Sequence, residues 1–156
     1  MLCDCPERED KHLHIKNSQI AFTKITVNDI VTSYKLHKEY CSYLRSLGVK
    51  ISTTPFEDHR NFVMRFLNDP SHPYKNWYMV DFDGEKIGYV VIKKTNEFGY
   101  VIFKKYRGYG IGSKMFVEFF KIHPRNTLWA RSRKENKRSH HMLEKFGFEV
   151  TDLEFH

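Results

Sequence analysis

The chain has 156 residues and carries 26 Lys and Arg against 19 Asp and Glu, a formal net charge of +7. That length suits one domain whose core folds without disulfides or metal, and it leaves no room for a second folded domain. A hydrophobic share of 40%, with 15% aromatic residues, excludes the apolar-poor composition of disordered chains, while the excess positive charge draws anionic partners.

Residues 1–18 read as a flexible N-terminal arm and residues 19–156 as the folded domain. The arm is charged throughout and offers no apolar segment for a secretory signal. No stretch of the sequence approaches the ~18 apolar residues that span a bilayer, so no membrane partner is expected. Cys3, Cys5 and Cys41 are too few and too odd for a disulfide framework, which points to a reducing compartment, the cytoplasm. Cys3 and Cys5 with His12 and His14 have metal-ligand residue types but not the spacing of zinc modules, so no metal is expected.

The folded part opens with a strand at residues 19–26, carrying Ile20, Phe22 and Ile25. Thr26-Val27-Asn28-Asp29 is a capping-box variant that opens a helix reaching Leu47, where Gly48 supplies a left-handed stop. A second helix starts with Thr54 as cap, Pro55 in the first helical position and Glu57 as box partner. Phe56, Val63, Phe66 and Leu67 line its buried face, and Pro70 ends it. Residues 77–82 and 86–94 flank Asp83-Gly84, a pair that tolerates the positive φ angles of a tight hairpin turn; residues 98–103 continue the meander.

Ile111, Met115, Phe116, Phe119 and Phe120 then recur at helical spacing until Pro124, as a core stripe. A short strand at 128–132, a helix at 135–146 closed by Gly147, and a last strand at 148–155 complete the order. This succession predicts an α+β domain built on one mixed, mostly antiparallel sheet flanked by helices.

The segment richest in chemistry is Tyr106-Arg107-Gly108-Tyr109-Gly110-Ile111-Gly112-Ser113-Lys114, between a strand and an amphipathic helix. Three glycines within five positions let backbone amides turn inward, and the helix start adds partial positive charge, so the turn suits a phosphate or pyrophosphate. The order Ser113-Lys114 and the short glycine spacing exclude a P-loop. A dinucleotide fingerprint fits little better, because the preceding strand ends a meander and no βαβ repeat follows.

Arg107, Gly110 and Gly112 fit the pattern R/Q-x-x-G-x-G/A. Upstream stand Gly84-Glu85-Lys86-Ile87-Gly88-Tyr89 and Glu97-Phe98-Gly99-Tyr100-Val101-Ile102; downstream stand Glu135-Asn136, Ser139 and Phe146-Gly147-Phe148. In this order the set resembles the GNAT superfamily of N-acetyltransferases over about half of the chain. The resemblance implies acetyl-CoA as cosubstrate, with its pantetheine arm hydrogen-bonded along Tyr100, Val101 and Ile102 as an added strand would be. It implies that the pyrophosphate sits on the amides of Gly108, Tyr109, Gly110, Ile111, Gly112 and Ser113. Arg107 and Lys114 would add charge near the phosphates, and Asn136 a hydrogen bond near the pantetheine or thioester. Direct transfer to a primary amine then needs an uncharged amine, an acceptor for its proton and a donor for the leaving thiolate.

Leu143 stands seven residues after Asn136, where many family members carry a Tyr that protonates the thiolate. His140 shares that helix face and is the candidate acid, directly or through a water; its bland reading is a solvent-edge histidine beside His141. Glu97 is the candidate base, at a position where family members often have Glu; its bland reading is a carboxylate at a strand end. Tyr109 replaces the family's more usual basic residue and either packs on the adenine or faces solvent.

Trp129, Arg131 and Arg133, followed by Lys134, Lys137 and Arg138, make a basic edge. A polyanionic coenzyme explains these charges and no RNA-binding signature accompanies them, so no nucleic-acid partner is expected. Tyr34, Tyr40, Tyr43 and Leu44 either line the acceptor side or pack the first helix. Phe56-Glu57-Asp58-His59, Asp83-Gly84 and Glu97-Phe98-Gly99 resemble the branch that acetylates amino sugars on nucleotide carriers, with His59 as a candidate acceptor contact. Small amines, antibiotics and a protein N-terminus are the alternative acceptors. A monomer or homodimer acting on a small-molecule amine is expected; the rival class is a noncatalytic acyl-CoA-binding module, motivated by Leu143.

Overall fold

The computed structural model describes residues 19–151 and 154–156. The arm expected at residues 1–18, with Cys3, Cys5, His12 and His14, lies outside the described residues. Strand β1 (Ile20–Lys24) leads into the capping box: Asp29 accepts from the Thr26 N–H at 2.9 Å and Thr26 Oγ1 accepts from the Asn28 N–H at 3.2 Å. The box closes a 3-10 turn at Val27–Asp29, and helix α1 (Ile30–Ser46) continues from it. Gly48 terminates α1 at φ +88°, a conformation that costs glycine nothing.

Helix α2 (Phe56–Asn68) departs from the sequence expectation at its start and in its face. Thr54 does not cap it. Its N–H donates to His37 Nε2 at 3.2 Å and its carbonyl accepts from the Tyr34 hydroxyl at 2.9 Å, so Thr54 is tied to α1 and Pro55 becomes the N-cap. The buried stripe then runs through His59, Phe62, Val63 and Phe66, while Phe56 and Leu67 remain exposed. Phe56 packs its edge on Tyr34 instead, with ring centroids 5.1 Å apart.

Strands β2 (Tyr74–Phe82), β3 (Glu85–Lys93) and β4 (Phe98–Ile102) complete an antiparallel sheet in the order β1-β2-β3-β4. Asp83 at φ +52° and Gly84 at φ +80° form the tight turn between β2 and β3. Helix α3 (Ile111–Ile122), strand β5 (Ala130–Arg131), helix α4 (Lys137–Lys145) and strands β6 (Val150–Thr151) and β7 (Glu154–Phe155) follow. The expected single last strand is a hairpin, and the expected single sheet is two: β5-β7-β6 forms its own antiparallel sheet.

Among the described residues the two sheets meet at one parallel bridge, Glu97 to Trp129, where the Phe98 N–H donates to Trp129 O at 2.8 Å. Beyond it β5 turns its free edge to β7, and β4 and β5 diverge. Apolar side chains cover both faces of the four-stranded sheet. Phe98, Phe116, Phe119 and Leu143 join the core under α3 and α4, and Leu36, Val63, Trp77 and Val101 the core under α1 and α2. Each fully buried Phe or Leu contributes about 2–3 kcal/mol, so the faces lock the helices against the sheet while the diverging strands stay open between them.

Candidate active site

The open edge of β4 supplies the first half of the site. Phe98 directs its N–H toward β5, whereas the Phe103 N–H donates to Ile87 O of β3 at 2.9 Å. Backbone groups alternate along a strand, so the Tyr100 N–H and C=O and the Ile102 N–H also point away from β3, into the gap. No strand among the described residues pairs with them there.

The glycine turn supplies the second half. Gly108 at φ +87° and Gly110 at φ +79° bend the chain into α3, and a Cβ at either would meet nothing within 4 Å. The first helical bond of α3 runs from the Lys114 N–H to Gly110 O at 3.1 Å. Hence the N–H groups of Ile111, Gly112 and Ser113 have no helical acceptor, and no hydrogen bond among the described residues takes those of Gly108, Tyr109 or Gly110. Six amides at the positive end of a 12-residue helix make an anion cradle.

Turn, β4 edge, β5 and the start of α4 enclose a cavity of about 700 Å³, walled on one side by Tyr40 and Tyr43 of α1. Of the residues singled out for the coenzyme, 100–102, Arg107, Gly108, 110–113 and Asn136 line it, and Tyr109 and Lys114 do not. Asn136, placed inside the helix by sequence, is the N-cap of α4: its Oδ1 accepts from the Ser139 N–H at 3.3 Å and from the Tyr43 hydroxyl at 3.4 Å. The cap holds a buried amide at the cavity wall and joins α4 to α1 across it.

Arg107 is a brace before it is a phosphate ligand. Its Nη2 donates to Ile102 O at 3.2 Å and its guanidinium lies 5.0 Å from the Tyr43 ring centre, with burial lowering its pKa. Lys145, at the far end of α4, instead reaches the cradle and donates to Ser113 Oγ at 2.9 Å. Sequence reasoning missed it, because the contact joins two helices and has no local spacing signal. Ser139, quoted from the motif without a role, lies with its Oγ 3.2 Å from the Tyr100 hydroxyl, and Ser132, which sequence reasoning missed, is a buried cavity-lining hydroxyl with no partner among the described residues. Burial pushes the Tyr100 hydroxyl up to about 12, so it stays protonated.

A model of the Acetyltransferase (GNAT) family matches residues 34–148. The chain belongs to that family. No curated protein matches this GNAT chain. It is similar in fold to an acetyltransferase from Thermus thermophilus, at 15% identity over 88% of this chain and 95% of that one, with a TM-score of 0.69. A Salmonella typhimurium acetyl transferase that modifies the N-terminal serine of a ribosomal protein matches at 16% identity over 86% and 82%, TM-score 0.65. An aminoglycoside acetyltransferase in complex with coenzyme A matches at 16% identity over 85% and 86%, TM-score 0.64.

In this GNAT chain the two catalytic candidates stand off the cavity. Glu97 Oε2 is 3.4 Å from Lys93 Nζ and its Oε1 is 3.8 Å from Arg131 Nε, at the bridge between the sheets. His140 Nε2 lies 2.9 Å from Arg133 O, bracing the turn before α4, and neither residue lines the cavity. His59 is also remote. It is buried between α1 and α2, its Nε2 2.8 Å from Ser33 Oγ and its ring stacked on His37 at 6.0 Å. Burial, aided by the neighbouring His37, depresses its pKa to about 4. Among the described residues no group of three metal-ligating side chains forms, and no helix is long and apolar enough to cross a membrane.

Proposed function

We propose that this GNAT acetyltransferase takes the acetyl group of acetyl-CoA and passes it directly to the nitrogen of a primary amine. The supporting observation is the convergence, in one cleft, of the unpaired β4 edge and six unclaimed amides. The spacing suits an extended arm ending in a diphosphate: Tyr100 and Ile102 offer strand-like hydrogen bonds, the amides of residues 108–113 offer an anion cradle, and Lys145 adds a cation. Two structures similar in fold, the aminoglycoside acetyltransferase and an N-acetyltransferase from Thermoplasma acidophilum, were solved with coenzyme A.

The residues act by position. The β4 edge aligns the donor so that its carbonyl faces the gap between β4 and β5, and the walls of Tyr40, Tyr43 and Val101 limit water there. Arg131, Lys137 and Arg138 line the same cavity, and the diphosphate and 3′-phosphate of the coenzyme take up part of that positive charge. The same cationic wall would also suit an acceptor that itself carries phosphate, such as an amino sugar on a nucleotide carrier. His59 makes no contact with the cavity, so the acceptor reading rests on the cationic wall alone.

Isothermal titration with acetyl-CoA, followed by thiol release over a panel of nucleotide-linked amino sugars, polyamines, aminoglycosides and N-terminal peptides, tests the proposal. Binding with thiol release on an amine supports it, and preference for the phosphate-bearing members supports the acceptor class. Binding without release on any amine would favour the noncatalytic module.

A further inference from the structure

The cavity passes through the gap from one face of the sheet to the other. Tyr40 and Tyr43 of α1 wall one end, and Ile111 of α3 and Met142 of α4 wall the other. A donor that enters from the cradle, at the α3 end, leaves the α1 end for the second substrate.

Burial alternates along residues 128–133. Leu128, Ala130 and Ser132 are buried, and the first two join the core under α3 and α4. The strand period of two then turns Trp129, Arg131 and Arg133 to the opposite face, the one that carries α1 and α2, where both arginines are exposed. Arg131 lines the cavity, and Arg133 lies near enough to Tyr40 of α1 for its charge to lower the pKa of that hydroxyl. The other basic side chains of the cavity stand on the coenzyme side: Arg107 in the cradle loop, and Lys137, Arg138 and His141 on α4, which shares the α3 core.

Arg131 is supported from behind and open in front. Its guanidinium lies 5.3 Å from the Trp129 ring centre, and Trp129 stacks on His156 at 5.8 Å and donates to Thr95 O at 2.9 Å. Glu97 Oε1 faces the inner nitrogen, Nε, at 3.8 Å; its other oxygen is shared with Lys93, and Glu154 stands opposite Arg131 in the β7 register. Among the described residues no hydrogen bond takes Nη1 or Nη2 of Arg131, or any side-chain nitrogen of Arg133. A planar guanidinium with its outer nitrogens open matches the paired oxygens of a phosphate or a carboxylate.

We propose that Arg131 and Arg133 form an anion subsite for the second substrate, gripping a phosphate or carboxylate carried by the amine, on the face of the sheet opposite the coenzyme cradle. The inference rests on the reading of the cleft as an acetyl-CoA site and deepens the acceptor reading. These two cations are separate from those that the coenzyme phosphates occupy, so they remain available when the donor is bound.

The test needs no identified acceptor. Nitrogen-15-labelled protein saturated with coenzyme A is titrated with inorganic phosphate and, separately, with acetate at constant ionic strength. The arginine Nε–H signals, assigned by their loss in Arg131→Lys and Arg133→Lys, and the backbone amides of residues 129–133 report binding at the stripe. Both arginine signals should move on one saturable curve, and Arg131→Gln with Arg133→Gln should weaken the anion by about fivefold or more while coenzyme A affinity stays within about twofold. Lys134→Gln, which removes an exposed cation from the same segment but not from the stripe, should change anion affinity by less than about twofold. Tighter phosphate points to a phosphorylated amine, and tighter acetate to an amine that bears a carboxylate; either supports the subsite. Signals that stay still, or that drift without saturation in step with the exposed Arg60, overturn it, as does a loss in Lys134→Gln equal to that of the double variant. Failure of the parent to bind coenzyme A would instead remove the cleft reading beneath it, a result distinct from a loaded protein that ignores both anions.

Discussion

Gly88 of β3 lies opposite Ile102 of β4, and a Cβ built there would sit 2.3 Å from Val101 O and 3.2 Å from Ile102 Cα. Both are backbone atoms, so a Gly88→Ala protein relieves the clash only by parting the strands by about 1 Å. Overpacking of this kind costs about 1–3 kcal/mol and stretching the adjacent ladder bonds about 1 more, giving about 3 kcal/mol against a typical total of 5–15. Urea denaturation followed by tryptophan fluorescence should show that loss, with Tm lower by about 6–12 °C. Coenzyme A binding should weaken with it, because Val101 and Ile102 are displaced toward the cleft they line. Gly99→Ala is the control: a Cβ there meets nothing within 4 Å, so stability should stay within about 0.5 kcal/mol of the parent. A Gly88→Ala protein as stable as the Gly99→Ala protein would refute the close β3–β4 approach.

Burial depresses the pKa of His59 from 6.5 to about 4, so the unfolded chain takes up the proton first as pH falls. The stability His59 contributes is whole above about pH 6.5 and lost as pH drops through about 4, an acid loss on the order of 3 kcal/mol. His37, His72 and His123, also depressed by burial, add to it with the same sign. Urea midpoints measured across that range should fall in the parent and fall less in His59→Gln; a flat parent profile would contradict the buried neutral ring. Asn136→Ala removes the α4 cap and the acceptor of Tyr43, so thermal unfolding should show a loss of about 1–2 kcal/mol that Asn136→Asp largely restores. Lys145→Ala should weaken coenzyme A binding by about three- to tenfold at low salt and less at high salt; a salt-independent loss would point to packing instead.

What could be read in advance follows from the range of the signal. Asp83-Gly84 and the glycines after Arg107 announce their conformations because positive φ is a property of the residue itself, and both turns stand where expected. The helical stripe of Ile111, Met115, Phe116 and Phe119 is equally local, and all four are buried. The buried face of α2 was misplaced because Thr54 is claimed by Tyr34 and His37 of another helix, which sets where α2 begins and puts His59 inside. Asn136 was recognised as important but not as a cap, since the helix start depends on where β5 leaves the sheet.

Residue order and spacing by themselves determined the class of fold, the succession of strands and helices, and the turn that frees its amides, because each depends on torsions and periodicities within a few residues. The tertiary structure alone decided the divergence of β4 from β5, the withdrawal of Glu97 and His140 from the cleft, and the arrival of Tyr40 and Lys145. Those are meetings between segments tens of residues apart, set by how two apolar faces pack on one sheet, and no local pattern encodes them.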